Sequence, residues 1–372
     1  MSDVTKFDLK KFLVPVWDGK ISYAEAAFVR EAEDGEVKPI KLLYPIEEII
    51  SVRSADLQTV YVEGSDYTVQ GGELHILRSG DIPVLAYSDY FFDLSDEEHE
   101  QNRLATKFPS CKERGKGYIR AEIGAASKGM SEWTLAVTYT HEELDTVRAP
   151  EDKSAVFASL IAKLEEGKNI KIVATGDSIT DGWSASGKLG VNRPPYCPQY
   201  NVLLEDYIDA RYGIEAEQKN VGVSGSNTGG GLTKLDEICG EDPDLVIIAF
   251  GMNDGCGINT ATYISNLNVM VSTIEERCPD AAIVVVGTCL PNEELAWAPG
   301  GGSLLNYHID YVEALKEAEK SWKNAAHADV TTVNLDMFKR KVYQDLSGSN
   351  SNHPNDYMHR VYAQVLIKTI FG

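Results

Sequence analysis

The second half of the chain alternates short apolar runs with helical stretches, and this pattern restricts the fold more than any other feature. The run at residues 245–250, Leu-Val-Ile-Ile-Ala-Phe, is typical of a strand that is buried on both faces. Strands that alternate with helices in this way indicate βαβ units and a parallel sheet. The predicted sheet has five strands, at residues 170–174, 217–221, 245–250, 283–286 and 330–335.

Stretches rich in glycine and polar residues follow the first three of these runs directly. Ser178 lies in the first stretch, Gly225 in the second and Asn253 in the third. In an open parallel sheet, ligands bind outside the carboxyl ends of the strands. We therefore expect these three residues to meet at one edge of the sheet.

The residue types at these positions suit the hydrolysis of an ester through a serine. The Ser178 hydroxyl becomes a good nucleophile only when a base takes its proton. His353, just ahead of the last predicted helix, is the natural base because neutral imidazole is abundant at pH 7. The backbone N–H groups of Ser178 and Gly225 and the side-chain amide of Asn253 would stabilise the oxyanion.

Four stretches thus carry the candidate residues. Each alone is more often an ordinary turn or helix cap, but the four together in this order predict a hydrolase. They are Gly-Asp-Ser-Ile-Thr at residues 176–180, Asn-Val-Gly-Val-Ser-Gly at 220–225, Gly-Met-Asn-Asp-Gly at 251–255 and His-Pro-Asn-Asp at 353–356.

With these four stretches in order, the chain resembles the SGNH hydrolases of the GDSL esterase/acylesterase superfamily over about residues 168–372. The resemblance implies a three-layer α/β/α sandwich with a five-stranded parallel sheet. It implies Ser178 as the nucleophile and His353 as the general base. It also implies an oxyanion hole made by Ser178, Gly225 and Asn253, and a mechanism that needs no metal or cofactor.

One position departs from the family pattern. The family usually has an aspartate three residues before the histidine, where this chain has Asn350. A neutral amide can fix the tautomer of the imidazole but cannot offset its positive charge. Three arrangements remain open. His353 would work in a Ser–His dyad, in which a backbone carbonyl or Asn350 orients the imidazole. Alternatively, Asp345 or Asp356 would supply the carboxylate, or the enzyme would have weak activity. Some carbohydrate acetylesterases of this superfamily work as dyads, which favours the first arrangement.

The first 145 residues are of a different kind, because short candidate strands with turns between them predict an antiparallel β-sandwich or jelly roll. Residues 146–167 are predicted as a linker and connecting helix, and residues 168–372 as the hydrolase domain. A β domain ahead of an SGNH domain resembles the arrangement in carbohydrate acetylesterases that act on plant polysaccharide fragments. The β domain would either shape the substrate site or serve in packing and oligomerisation. The predicted strands lie at residues 58–63, 66–70, 74–77, 82–87, 118–123 and 133–139.

Composition restricts the partners and the compartment. The 372 residues include 35 basic and 57 acidic side chains, and a net charge of −22 argues against nucleic acid or an anionic membrane as partner. The first residues lack a basic region followed by an apolar core, and the six cysteines lack CxxC spacing. We therefore expect a cytoplasmic protein with reduced thiols. The sequence leaves open whether the chain forms a homo-oligomer.

Aromatic residues near the candidate site favour a sugar substrate. Trp183, Tyr196 and Trp297 lie in segments that we expect above the sheet edge, where rings can stack on sugar faces or pack a domain contact. Phe250 and Met252 lie too near the sheet to line an acyl tunnel. The predicted substrate is therefore an acetylated oligosaccharide, such as a xylan or mannan fragment. The alternatives are a short-chain acyl-thioesterase or lysophospholipase-like hydrolase, and a non-catalytic sugar-binding protein with a decayed site.

Overall fold

The structure is a computed structural model that describes residues 8–98, 107–110, 117–121, 129–142, 145–188 and 191–372. The last two residues of the strand predicted at 118–123 lie outside the described residues. Within the described residues, no helix combines the length and the apolar character that a membrane span requires.

The N-terminal part consists of antiparallel strands. The elements are α1 (Leu9–Phe12), β1 (Ile21–Phe28), β2 (Glu48–Ser54), β3 (Val60–Tyr61), β4 (Tyr67–Gln70), β5 (Glu73–Ile76), α2 (Tyr87–Tyr90), β6 (Phe91–Phe92), β7 (Lys107–Pro109), β8 (Tyr118–Arg120) and β9 (Thr134–Thr140). The largest sheet of this part has the order β1-β9-β2-β3. Two smaller sheets are formed by β4 with β5 and by β6, β8 and β7. The hairpin of β4 and β5 turns through Gly71 and Gly72, both with positive φ. A β domain is thus confirmed, whereas the jelly roll stays a prediction.

The C-terminal part alternates strands and helices. Its elements are α3 (Ala158–Glu165), β10 (Lys171–Gly176), α4 (Tyr200–Tyr212), β11 (Glu217–Asn220), α5 (Thr228–Leu232), α6 (Leu235–Gly240), β12 (Leu245–Ala249), α7 (Met252–Gly255), α8 (Thr260–Arg277), β13 (Ala282–Val286), α9 (Asp310–Glu319), β14 (Ala325–Ala328), α10 (Val330–Met337), α11 (Tyr343–Leu346) and α12 (Asp356–Phe371). The five strands form one sheet of order β11-β10-β12-β13-β14, in which all the pairs are parallel.

Alternate residues of the central strands face two separate apolar cores. Ile172 and Ala174 of β10 belong to a core that also holds residues of α3, α4, α10 and α12. Val173 faces the other core, which is built from α8 and α9. Because successive side chains of a strand point to opposite faces, both faces of the sheet are covered by helices. The predicted three-layer α/β/α arrangement is confirmed.

The fifth strand lies elsewhere than predicted. Residues 330–335 are helical, because the Asp329 side chain accepts from the N–H of Thr332 and caps α10. The strand is instead β14, whose sequence Ala-Ala-His-Ala is fully buried beside β13. Alanine is depleted in strands generally, so β14 depends on its buried position rather than on residue type.

The first apolar core continues from the helices of the C-terminal part into the N-terminal part. Ala27 and Val29, within and after β1, belong to the same cluster as Met358 and Val361 of α12. The helix that follows His353 therefore packs directly on the antiparallel sheet.

Candidate active site

Ser178 lies in a tight turn immediately after β10. The strand ends at Gly176, where an added Cβ would lie 2.2 Å from Thr180 Oγ1 and 2.4 Å from the carbonyl oxygen of Ala249. A glycine at this position therefore allows the end of β10 to approach the end of β12. This approach brings Ser178 to the carboxyl edge of the sheet, as the sequence predicts.

His353 faces Ser178 from the turn at residues 347–355 between α11 and α12, hereafter the His353 turn. Its Nε2 lies 2.9 Å from Ser178 Oγ, and only 5% of each residue is exposed. The backbone of the turn is held on both sides. The N–H of His353 donates to Ser349 Oγ at 3.1 Å, and its carbonyl accepts from Gly348 N and Ser347 Oγ, both at 3.0 Å.

The imidazole of His353 is held in its neutral form. Burial, with His359 and Lys188 nearby, lowers its pKa to about 3. Its Nδ1 has no hydrogen-bond partner in the described part of the chain. The ring can therefore accept a proton from Ser178, but no carboxylate among these residues supports the resulting cation.

The three candidate partners of the imidazole are all engaged elsewhere. Asp345 accepts from the N–H of Phe28 at 2.6 Å, and Asp356 accepts from the N–H of Ser186 at 2.8 Å. Asn350 has a positive φ of 59°, and its amide nitrogen donates to a backbone carbonyl of the N-terminal part. The predicted orienting contact to His353 is thus not formed by any of the three.

The predicted oxyanion donors follow three adjacent strands, Ser178 and Gly225 in turns and Asn253 in the short helix α7. Gly225 has a φ of +79°, a conformation that glycine adopts without strain. In the described residues, the backbone N–H groups of Ser178 and Gly225 donate to no other group. Asn253 Nδ2 donates one hydrogen to the carbonyl of Ser226 at 2.7 Å, which leaves the second available. The arrangement can present several donors to a developing oxyanion.

Two buried carboxyl groups lie beside these donors. Asp254 accepts from the N–H of Thr228 at 2.9 Å, which joins α7 to α5, the helix that follows Gly225. Asp177 accepts from Ile179 N at 2.9 Å. Burial and the nearby charge of Asp254 raise the pKa of Asp177 to about 7, against the lowering effect of the backbone N–H groups of Ile179 and Met252. Donors held in this way need little reorganisation during a reaction.

The predicted aromatic residues differ in whether their rings lie beside His353. The Trp183 ring lies 5.1 Å from the His353 ring, so the structure brings this residue to the site. Tyr196 and Trp297 are 43% and 54% exposed. Trp297 packs edge-on against Phe108 of the N-terminal part, with ring centroids 5.8 Å apart. Neither ring stacks on His353 in the described part of the structure.

Asp181 joins the site without having been predicted. Its carboxylate accepts from Trp183 Nε1 at 3.0 Å and from Ser224 Oγ at 2.9 Å, and it pairs with Lys188 at 2.8 Å. It thus connects the nucleophile turn to the residue before Gly225. Trp183 and Lys188 lie close to Asp181 along the chain, but Ser224 is 43 residues away, so the sequence gives no signal for the contact with Ser224.

The described cysteines Cys197, Cys239, Cys256, Cys278 and Cys289 are unpaired, and Cys111 lies outside the described residues. No cluster of three or more His, Cys, Asp or Glu side chains suited to a metal is found in the described ranges.

A parallel α/β/α sandwich with a serine, a histidine and glycine-rich loops gathered at the carboxyl edge of its sheet defines a hydrolase of the SGNH type. The chain belongs to the GDSL-like lipase/acylhydrolase family, whose model matches residues 174–361, just over half of its length. No curated protein sequence matches the chain.

Several solved structures are similar to part of the chain. A two-domain esterase active on acetylated mannans is 16% identical, with a TM-score of 0.46 over 60% of this chain and 54% of the esterase. A catalytic mutant of the acetylxylan esterase Axe2 from Geobacillus stearothermophilus is 20% identical, with a TM-score of 0.44 over 55% of this chain and 94% of Axe2. A lipase/acylhydrolase from Enterococcus faecalis is 24% identical, with a TM-score of 0.40 over 54% of this chain and 95% of that protein. The chain thus spans about half the length of the two-domain esterase.

Proposed function

We propose that the protein is a serine esterase that removes O-acetyl groups from plant-type oligosaccharides such as xylan or mannan fragments. The observation that carries the proposal is the 2.9 Å contact between Ser178 Oγ and His353 Nε2, at the sheet edge of a GDSL family member. This distance is within the reach of a nucleophile and its base.

The proposed reaction proceeds through an acetyl-enzyme. Ser178 Oγ attacks the acetyl carbonyl carbon while His353 takes the hydroxyl proton. The N–H groups of Ser178 and Gly225 and the amide of Asn253 stabilise the oxyanion. As the ester C–O bond breaks, His353 returns the proton to the departing sugar oxygen. His353 then takes a proton from a water molecule, whose oxygen attacks the carbonyl carbon of acetyl-Ser178. As the bond to Ser178 Oγ breaks, His353 returns the proton to that oxygen, and acetic acid leaves as acetate.

Three features favour a short acyl group on a sugar. Phe250 and Met252 are 2% and 0% exposed and pack in the domain cores, so their side chains cannot wall an acyl channel. Trp183 lies beside the histidine, and Tyr196 and Trp297 offer exposed rings. The net charge of −22 suits a neutral substrate.

The test is acetate release from acetylated xylo-, manno- and cello-oligosaccharides by the wild type and by Ser178→Ala. Release by the wild type alone supports the proposal, and the preferred sugar names the substrate. Turnover of thioesters or longer acyl esters, without release from any sugar, would instead indicate the thioesterase or lysophospholipase-like activity.

The Nδ1 of His353 has no hydrogen-bond partner among the residues that the structure describes, and this observation favours a non-catalytic sugar-binding protein. Such a protein would bind the oligosaccharides in calorimetry with equal affinity in the wild type and Ser178→Ala, and would release no acetate. The acetylated oligosaccharide is the proposed partner, and we propose neither a nucleic acid nor a membrane.

A further inference from the structure

The chain on either side of His353 is anchored to the N-terminal part. Ahead of it, Lys341 Nζ lies 2.8 Å from Glu25 Oε1, and both side chains are fully buried. After it, Arg360 of α12 donates to the carbonyls of residues 12, 23 and 24 at 2.6–3.1 Å. The N–H of Met130 donates to the carbonyl of Gly348 at 3.0 Å, within the His353 turn itself. The antiparallel domain therefore contacts the chain before, within and after this turn.

Among the described residues, Asn350 makes the side-chain hydrogen bond to the N-terminal part that lies nearest His353 in sequence. Its Nδ2 donates to the carbonyl of Arg120 at 2.7 Å and lies 3.5 Å from the Tyr90 hydroxyl. Its Oδ1 accepts from Gln344 Nε2 at 3.0 Å and from Asn292 Nδ2 at 3.1 Å. Gln344 also donates to the Tyr90 hydroxyl at 2.8 Å. The network joins the turn, the preceding helix and the N-terminal domain.

The network uses both ends of the Asn350 amide. An aspartate could accept from Gln344 and Asn292, but it could not donate to the carbonyl of Arg120. The second carboxylate oxygen would take the place of Nδ2, which now lies 2.7 Å from the carbonyl oxygen of Arg120, and the two oxygens would repel each other. Asn350 is fully buried, so the repulsion would be weakly screened. The backbone also suits asparagine, which tolerates the positive φ of 59° better than most residues.

We propose that Asn350 is a positioning residue that holds the His353 turn against the N-terminal domain, instead of orienting the imidazole as a carboxylate would. This inference rests on the proposed function, because it assigns Asn350 a part in placing the base for Ser178. The antiparallel domain then acts as a scaffold for the histidine.

Asn350→Asp discriminates between the two roles. We expect kcat/KM for a small acetate ester to fall at least 10-fold, since the carboxylate disrupts the network. We also expect the pKa of His353, measured by NMR of histidine-labelled protein, to stay well below its ordinary value. Higher activity together with a pKa of His353 raised above the ordinary range would mean that residue 350 faces the imidazole, and would overturn the inference.

A second variant keeps the test independent of the folding of Asn350→Asp. Tyr90→Phe removes the hydroxyl that Gln344 and Asn350 share, on the N-terminal side of the contact. We expect a lower kcat with KM unchanged, whereas the matched change Tyr212→Phe, on α4, leaves both unchanged. An unchanged kcat in Tyr90→Phe, with Asn350→Asp folded and active, would contradict the positioning role.

Labelling of Ser178 by a fluorophosphonate separates this inference from the proposed function. A wild type that does not react refutes the hydrolase and the inference with it. A wild type that reacts at the same rate as both variants refutes the inference alone.

Discussion

The low pKa of His353 makes a direct prediction about how catalysis depends on pH. The ring is almost fully buried, with His359 and Lys188 nearby, and its pKa is lowered from 6.5 to about 3. At about 1.36 kcal/mol per pH unit, this difference favours the neutral ring by on the order of 5 kcal/mol. A base that stays neutral needs no deprotonation before it acts, so lowering the pH from 8 to 5 leaves it competent.

The expected change in kcat/KM between pH 8 and pH 5 can be compared with the change for a histidine of ordinary pKa. With a pKa near 6.5, only about 3% of the imidazole would be neutral at pH 5, and kcat/KM would fall about 30-fold between pH 8 and pH 5. With a pKa of about 3, nearly all of the His353 imidazole is neutral at pH 5. We therefore expect kcat/KM for a small acetate ester to change less than about 2-fold over this interval.

The assay is kcat/KM measured from pH 4 to 9, with activity re-measured at pH 7.5 after each incubation to detect irreversible unfolding. Asp177 also titrates near the site, because burial raises its pKa to about 7. The profile of Asp177→Asn identifies any contribution from that carboxyl. An acid limb with a midpoint between pH 6 and 7 that persists in Asp177→Asn would refute the argument about His353.

Three further predictions concern the free energy of unfolding and the oxyanion hole. Lys341→Met should lower the free energy of unfolding, measured by urea denaturation, by about 3–5 kcal/mol, because the change leaves two buried carboxylates without their cation. The control Lys320→Met removes an exposed lysine and should change the free energy of unfolding by less than about 1 kcal/mol. Asn253→Ala should lower kcat by about 10²–10³-fold with little change in KM, and an unchanged kcat would remove it from the oxyanion site. Burial lowers the pKa of His327 from 6.5 to about 4. Between these two pH values the unfolded chain binds a proton that the folded protein does not bind. The stability that neutral His327 contributes above pH 6.5 is therefore lost as the pH falls through 4. The urea midpoint should therefore fall less between pH 7 and 5 in His327→Gln than in the wild type, and an equal fall would contradict this account.

The parallel sheet was predictable where apolar runs are long and turn signals bound them. The run at residues 245–250 identifies β12 almost to the residue, because both faces of that strand are covered. The fifth strand was placed wrongly because Thr331, Thr332 and Val333 favour a strand by type, whereas the cap at Asp329 starts a helix. Residue type alone could not show which of these two local preferences would prevail.

The two long strands β1 and β2 of the N-terminal domain were not predicted, and the strand expected at residues 82–87 is absent from that described segment. The register of β1 shifts between Ser22 and Glu25, and that of β2 between Ile49 and Ser51, which breaks the period-two pattern. Glu25 is buried because Lys341, more than 300 residues away, compensates its charge. Nothing local in the sequence identifies such a pair.

The positions of Ser178 and His353 could be predicted because motif order and strand ends determine them. The direction of the Asn350 side chain could not, since it depends on Tyr90 and Arg120 in the other domain. Asp181 was missed for a similar reason, because Ser224 reaches it only in the folded chain.

The most direct test of the account is mass spectrometry of the protein after reaction with a fluorophosphonate. Because Ser178 Oγ lies 2.9 Å from His353 Nε2, we predict one adduct, on the peptide that contains Ser178. It should be absent in Ser178→Ala and form much more slowly in His353→Ala. An adduct at another residue, or none in the folded wild type, would contradict the assignment of Ser178 as a nucleophile activated by His353.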